Sequence, residues 1–169
     1  MAREKREPPS GALKKRLVYP LKLTIAAVVA LLAARVLGLP EAYWAPISAF
    51  VVVQSDLGSS LLLSWHRLVG TALGVSVGAL LAETVGRSVW VFGLGVLGLG
   101  LMSAALRLER PANKFAAIAL AIVLLIARTE HPWVIAFHRF IEVSVGILVG
   151  LLLSALWPEQ PAGNSGIQK

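Results

Sequence analysis

The sequence contains no cysteine and few charged residues, and both shortages limit what the protein can do. Without cysteine, the chain has no disulfide bond, no thiolate metal site and no cysteine nucleophile. Charged residues make up 15% of the 169 residues, well below the roughly 25% of a typical soluble domain. The three histidines have no spacing typical of a zinc site, so we expect no metal and no cofactor.

Apolar residues are abundant, at 57% of the chain with a mean hydropathy of +0.76, and they form long runs. A helix crosses the bilayer core with about 20 apolar residues, and continuous rather than alternating runs favour helices over a barrel. The sequence therefore predicts an all-α membrane protein with six transmembrane helices, at residues 21–39, 43–54, 61–82, 89–106, 115–127 and 133–157. The short run 43–54 either spans fully or is re-entrant.

The distribution of charge predicts three regions and an orientation. Residues 1–20 form a basic cytoplasmic tail, residues 21–157 the six-helix domain, and residues 158–169 a polar C-terminal tail. With both termini in the cytoplasm, 12 of the 16 Lys and Arg residues lie on the cytoplasmic side, as expected for a multi-pass membrane protein. The net charge of +7 fits anionic lipid headgroups. Nucleic acid is not an expected partner, because no aromatic residue except Tyr19 lies among the basic residues near the N-terminus.

The chain also contains an internal repeat. Residues 65–78 resemble residues 137–150, because an aromatic-His-Arg triplet opens both and two glycines recur at a constant offset of 72. Upstream of these segments, Pro40 aligns with Pro111 and Ile47 with Ile118, at an offset of 71. The repeat divides the domain into halves at about residues 21–84 and 88–157, with three predicted spans each. Since three is odd, the second half enters the membrane from the opposite side. The prediction is two inverted three-helix repeats, an architecture found in many secondary transporters.

Arg67 and Arg139 are the first candidates for a functional site. Each arginine lies six residues into its apolar run, which places it roughly 9 Å below the membrane surface. A guanidinium at that depth is costly unless it is paired, and its fork suits a carboxylate. Two interpretations stay open: the arginines recognise an anionic substrate, or they reach the headgroups or form ion pairs that fix helix packing.

Glu142 and His138 are candidates for proton coupling, because they share a helix face with Arg139. A carboxylate within a span can be kept protonated by desolvation and released by a nearby cation. The alternative is that Glu142 is a static partner of Arg139. In the first half, Gly70 takes the place of Glu142, so the two halves are not equivalent at this position.

Two rows of glycines are spaced four residues apart: Gly70, Gly74 and Gly78, and Gly146 and Gly150. Small residues on one face let helix backbones approach closely in lipid. We expect both rows to pack against neighbouring helices.

Nothing in the sequence favours an enzyme. Residues 93–98 match a dinucleotide fingerprint, but they lie inside an apolar span without the preceding strand that the fingerprint requires. No Ser/His/Asp constellation is apparent either.

The segments YWAPISAFVVVQ at residues 43–54 and WHRLVGTALG at 65–74 resemble the fusaric acid resistance and aromatic acid exporter family. That family has a similar Tyr-Trp-Ala segment, followed by Arg-x-x-Gly-Thr-x-x-Gly at the opening of the next helix. The resemblance extends over about residues 21–157. It implies a proton-linked exporter of aromatic carboxylic acids or similar small organic anions, located in the cell inner membrane.

The resemblance also implies site residues and a partner. Tyr43, Trp44, Gln54 and Arg67 match the motif and are the implied substrate-binding residues, together with Arg139 from the repeat. Larger members carry two membrane blocks, so a chain with one block is expected to form a homo-oligomer. The alternative function is a non-transporting membrane scaffold whose glycine rows bind partner helices.

Overall fold

The computed structural model describes residues 9–54, 56–126 and 130–157, with side chains from Leu17 onward. All regular structure in these ranges is helical, which confirms the predicted all-α class. The predicted tail at 158–169 lies outside the described residues, as do residues 1–8 of the basic tail. The six described helices are α1 (Pro9–Val36), α2 (Trp44–Val52), α3 (Leu57–Thr84), α4 (Val89–Ala105), α5 (Arg110–Leu125) and α6 (Pro132–Leu156).

Three of these helices are long and apolar enough to cross a membrane by length and composition: Leu17–Val36 within α1, and all of α3 and α6. Helix α4 is apolar but shorter, with 17 residues. Helix α1 begins at Pro9, well before the first predicted run, so the second half of the basic tail is helical.

Helix α2 is the shortest of the six described helices. Only nine residues of the run 43–54 are helical, a length of about 14 Å at the usual helical rise. The hydrocarbon core is about 30 Å thick, so α2 alone covers less than half of it. A full crossing by this segment therefore needs the non-helical residues on either side of α2 or a locally thinned bilayer.

Local sequence explains where the helices begin and end. Gly38 follows α1 with a φ of 68°, a conformation that glycine adopts without strain. The Asp56 carboxylate accepts a hydrogen bond of 2.8 Å from the Ser59 amide and so caps α3. Ser88 caps α4 in the same way, through the amide of Val91 at 3.2 Å.

Helices α3 and α6 lie at the centre of the bundle and pack against each other. Helix α3 packs most extensively on α5, whereas α6 packs most extensively on α3, almost as extensively on α2, and also touches α1. Helix α4 packs mainly on α5. The third helix of each half thus rests on the second helix of the other half.

Glycines mark the closest approaches between these helices. A Cβ atom at Gly74 would collide with the backbone carbonyl oxygen of Ala116 in α5, and one at Gly146 would collide with that of Ala45 in α2. The two contacts correspond within the repeat, because Ala116 follows Ala45 by 71 residues and Gly146 follows Gly74 by 72.

The other glycines of the two rows lie on the same two helices. A Cβ atom at Gly70 would meet the carbonyl oxygen of Ala112 in α5, and Gly78 faces Val123. Gly150 faces Val52 at 3.2 Å from the added Cβ atom. The two rows therefore set the distance at which α3 meets α5 and α6 meets α2.

Candidate functional site

Arg67 of α3 and Arg139 of α6 line the same cavity near the centre of the bundle. The cavity has a volume of about 20 Å³, which is room for about one water molecule. Its remaining lining comes from α2, α3, α5 and α6: Trp44, Thr71, Phe115, Ile118, Ala119, Ile122 and Val143. The structure thus brings together both predicted arginines and one of the predicted aromatic residues.

Each arginine lies over an aromatic ring that belongs to the other half of the chain. The Cζ atom of Arg139 is 4.1 Å from the centre of the Trp44 ring, and that of Arg67 is 5.0 Å from the centre of the Phe115 ring. Phe115 follows Trp44 by 71 residues. Both pairs have cation–π geometry, so the two halves hold their arginines in corresponding ways.

Arg139 is also held by two carboxylates. Its Nη2 atom is 2.5 Å from Oε2 of Glu41, and its Nη1 atom is 3.4 Å from Oε2 of Glu142. The Glu41 amide donates a 2.9 Å hydrogen bond to Oε1 of Glu142. The side chains of Arg139 and Glu142 are almost completely buried, at 2% and 1% exposed. This triad ties the α1–α2 loop to the middle of α6.

Arg67 has a different environment, although it is also buried, at 6% exposed. Its Nη2 atom donates a 3.1 Å hydrogen bond to the Ser48 hydroxyl, which itself donates to the Trp44 carbonyl oxygen. Its Nε atom has no hydrogen-bond partner, and no carboxylate of the described residues forms an ion pair with it. Arg67 is therefore a buried cation whose polar and aromatic neighbours are the Ser48 hydroxyl and the Phe115 ring.

The sequence explains why the two arginines differ. The position that corresponds to Glu142 is Gly70, and the position that corresponds to Glu41 is Ala112. Gly70 and Ala112 lie against each other where α3 crosses α5. The first half thus lacks both side chains that neutralise the arginine of the second half.

Two predicted substrate-binding residues lie away from the cavity. Tyr43 is half-exposed, with its ring centre 5.7 Å from that of Trp44. Gln54 lies just beyond the opposite end of α2. Its backbone amide donates to Ser60 Oγ at 3.2 Å, and its backbone carbonyl oxygen accepts from Lys22 Nζ at 3.1 Å. Lys22, 1% exposed, thus places a cation at the negative end of α2.

The predicted proton-coupling residues are placed differently from each other. Glu142 lies beside Arg139, as its spacing predicted. The His138 ring lies 6.3 Å from that of Phe137, and its buried Nδ1 atom has no hydrogen-bond partner among the residues that the structure describes. His66, the corresponding residue of the first half, contacts Glu109 at 3.4 Å.

Three residues of the site were not singled out from the sequence. Phe115 has a usable signal, because the repeat offset of 71 leads to it from Trp44. Ser48 and Glu41 carry no comparable signal, since their roles depend on how α2 and its preceding loop pack.

Within the described ranges, no group of three or more His, Asp or Glu side chains is placed to hold a metal ion.

Comparison with known proteins decides the family. The profile of the fusaric acid resistance protein-like family matches residues 27–153, three quarters of the chain. The chain belongs to the fusaric acid resistance protein-like family. Family membership and the apolar helices together place it in a membrane.

Relatives in this family include proteins named as transporters. The uncharacterized transporter YdhK of Escherichia coli K12 is 34% identical over 149 residues, which are 83% of this chain and 22% of YdhK. YdhK of Salmonella typhimurium is 31% identical over 157 residues, 87% of this chain and 23% of that protein. An uncharacterized protein of Corynebacterium glutamicum is 28% identical over 152 residues, 88% of this chain and 38% of that protein.

The chain spans about a fifth of the length of the first two of these relatives. No solved structure matches it.

Proposed function

We propose that this chain is the membrane unit of an exporter for aromatic carboxylic acids or similar small organic anions, and that Arg67 binds the carboxylate. The observation that carries the proposal is the contrast between the two arginines. Both line one cavity, but Arg139 has two carboxylate partners and Arg67 has none among the described residues. A buried guanidinium without a counter-ion is an attractive site for a carboxylate, which its fork binds through two hydrogen bonds.

The cavity walls favour an aromatic or apolar body on the anion. Phe115 and Trp44 flank the arginines, and Ile118 and Ile122 extend a surface that is apolar apart from the arginines and Thr71. Aromatic rings stack favourably against such walls. The cavity in this conformation admits about one water molecule, so an aromatic acid enters only when the helices around it move apart.

The architecture that we propose for this movement is six transmembrane helices in two inverted repeats. It is supported by two pairs of corresponding contacts, the glycine contacts on α2 and α5 and the arginine–ring contacts. Because each third helix rests on the other half, rocking the halves would open the cavity to one side at a time. In this proposal the membrane is the inner membrane, and both termini lie on its cytoplasmic side.

The proton-linked group that we propose is Glu142. Two arginines and two glutamates surround the site, so their formal charges cancel when both carboxylates are ionised. A bound monoanion adds one negative charge to a low-dielectric interior, and protonation of Glu142 restores neutrality. His138, the other proton-coupling candidate, contributes less in this proposal, because among the described residues it is Glu142 that pairs with an arginine of the cavity.

We propose a homo-oligomer as the assembled form. Helix α4 presents an apolar face that no described residue covers, formed by Trp90, Leu94, Leu97 and Leu101. A second copy of the chain is the partner that this proposal assigns to the face.

We propose transport rather than an enzymatic reaction, with support from the transporter names of the relatives.

Efflux of radiolabelled benzoate from proteoliposomes tests the transport proposal. We expect the native chain to release benzoate under an imposed pH gradient and Arg67→Ala to lose release while it still inserts. Arg35→Ala is the matched control, because Arg35 is exposed at the end of α1. Benzoate release that is equal in empty liposomes, or unchanged by Arg67→Ala, contradicts the proposal and favours the scaffold function.

A further inference from the structure

The two arginines of the cavity differ in how many negative charges they can still accept. We propose that Glu41 and Glu142 act as built-in carboxylates that occupy Arg139 and thereby restrict the site to monoanions. Glu41 and Glu142 are then specificity-determining residues. This inference rests on the proposed function, because it concerns which anions bind at Arg67.

The Glu41–Arg139 contact has the geometry of a bound carboxylate. Glu41 comes from a loop rather than from the same helix, and its Oε2 atom lies 2.5 Å from the guanidinium. The guanidinium lies 4.1 Å from the Trp44 ring. Arg67 and Phe115 repeat the cation and the ring, with Ala112 in the place of Glu41. The protein therefore supplies one carboxylate and leaves the other arginine for a ligand.

The count of charges then limits the ligand. A monoanion on Arg67 gives each guanidinium at least one carboxylate. The second charge of a dianion would meet Arg139, which already holds Glu41 and Glu142 at 2.5 and 3.4 Å. Like charges repel strongly where water is excluded. A dianion could instead displace Glu41, but this would leave a partly buried carboxylate, 18% exposed, without its arginine.

Two ligands of nearly equal shape separate charge from size. Terephthalate carries two carboxylates, and monomethyl terephthalate carries one carboxylate and one ester on the same ring. We would measure the binding of both to the purified full chain by calorimetry, at a pH where every carboxylate of the ligands is ionised. The native chain is expected to bind the monoester at least about tenfold more tightly than the dianion.

Removing a built-in charge should relax this preference. In Glu41→Gln, Arg139 regains capacity for a second carboxylate, so the tenfold preference is expected to disappear or reverse. Glu142→Gln is a second variant, in which the preference for the monoester should also fall. It alters the acceptor of the hydrogen bond from the Glu41 amide, so it affects the α1–α2 loop differently from Glu41→Gln. The matched control is Glu109→Gln, which removes a carboxylate from the α4–α5 loop. The Glu109 side chain is 65% exposed, so its loss should leave the preference for the monoester unchanged.

The outcomes separate this inference from the proposed function. Equal binding of the two ligands by the native chain overturns the inference, and so does a preference that neither Glu41→Gln nor Glu142→Gln changes. Binding of the monoester that is lost in Arg67→Ala upholds the proposed function in both cases. A native chain that binds neither ligand contradicts the proposed function and the inference together.

Discussion

The guanidinium of Arg139 in α6 lies 4.1 Å from the centre of the Trp44 ring in α2. These residues are far apart in sequence and belong to different halves of the repeat. Their contact therefore joins the halves at the site itself, and the Arg67–Phe115 pair does the same with the roles of the halves exchanged. Movement of one half against the other must change both pairs.

Replacing the two arginines should affect stability differently. Arg139→Met leaves Glu41 and Glu142 without their buried cation and should lower the free energy of unfolding by about 3–5 kcal/mol. Arg67→Met removes a buried charge that has no carboxylate partner among the described residues, so it should preserve or raise stability. Thermal unfolding in detergent measures both. Equal destabilisation by the two substitutions would contradict the assigned difference.

Two substitutions of Arg67 should separate the contribution of its charge to anion binding from that of its planar guanidinium. Arg67→Met is expected to abolish binding of benzoate. Arg67→Lys retains the charge but loses the planar fork, so affinity should fall by at least about tenfold. Calorimetry on the purified chain checks this. Full affinity in Arg67→Lys would show that charge alone is sufficient and that the fork is not used.

Anion affinity should depend on pH through Glu142. Protonation of Glu142 removes one negative charge from beside Arg139, so benzoate should bind more tightly as the pH falls and Glu142 takes up a proton. In Glu142→Gln the affinity should no longer vary over that range. Glu83→Gln is the control, since Glu83 is 46% exposed and contacts Trp133 at the bundle edge. An unchanged pH profile in Glu142→Gln would remove the proton-linked role.

The glycine contacts predict a position-specific effect of one methyl group. Gly74→Ala and Gly146→Ala both place a Cβ atom against a backbone carbonyl, so each should destabilise the bundle by about 1–3 kcal/mol. Gly98→Ala in α4 is the control, because nothing lies within 4 Å of the added atom. Equal unfolding temperatures for all three variants would contradict the close approach of α3 to α5 and of α6 to α2.

The predicted topology can be tested cleanly because the chain has no native cysteine. Val85→Cys lies after α3 and Leu106→Cys after α4, both at exposed positions. A membrane-impermeant maleimide added to intact cells should label Val85→Cys, whereas Leu106→Cys should react only after the membrane is opened. Labelling of both positions from the same side would contradict the inverted six-span arrangement.

Much of the architecture follows from the sequence by itself. Continuous apolar runs and the low charge predict helices in a membrane, since no other structure satisfies the backbone in lipid within so short a run. The offsets of 71 and 72 pair Arg67 with Arg139 and lead from Trp44 to Phe115. The motif at 43–54 and 65–74 was enough to indicate the family that the comparison confirmed.

Tertiary structure alone decided the chemistry around the two arginines. Local spacing could place Glu142 beside Arg139, but the approach of Glu41 depends on a loop folding back onto α6 across a separation of 98 residues. The same is true of Ser48 beside Arg67 and of Lys22 at the end of α2. Periodicity tells which face of a helix is apolar or small, but it does not tell which other helix covers that face. That choice depends on the joint packing of all six helices, and it leaves one buried arginine paired with carboxylates and the other without them.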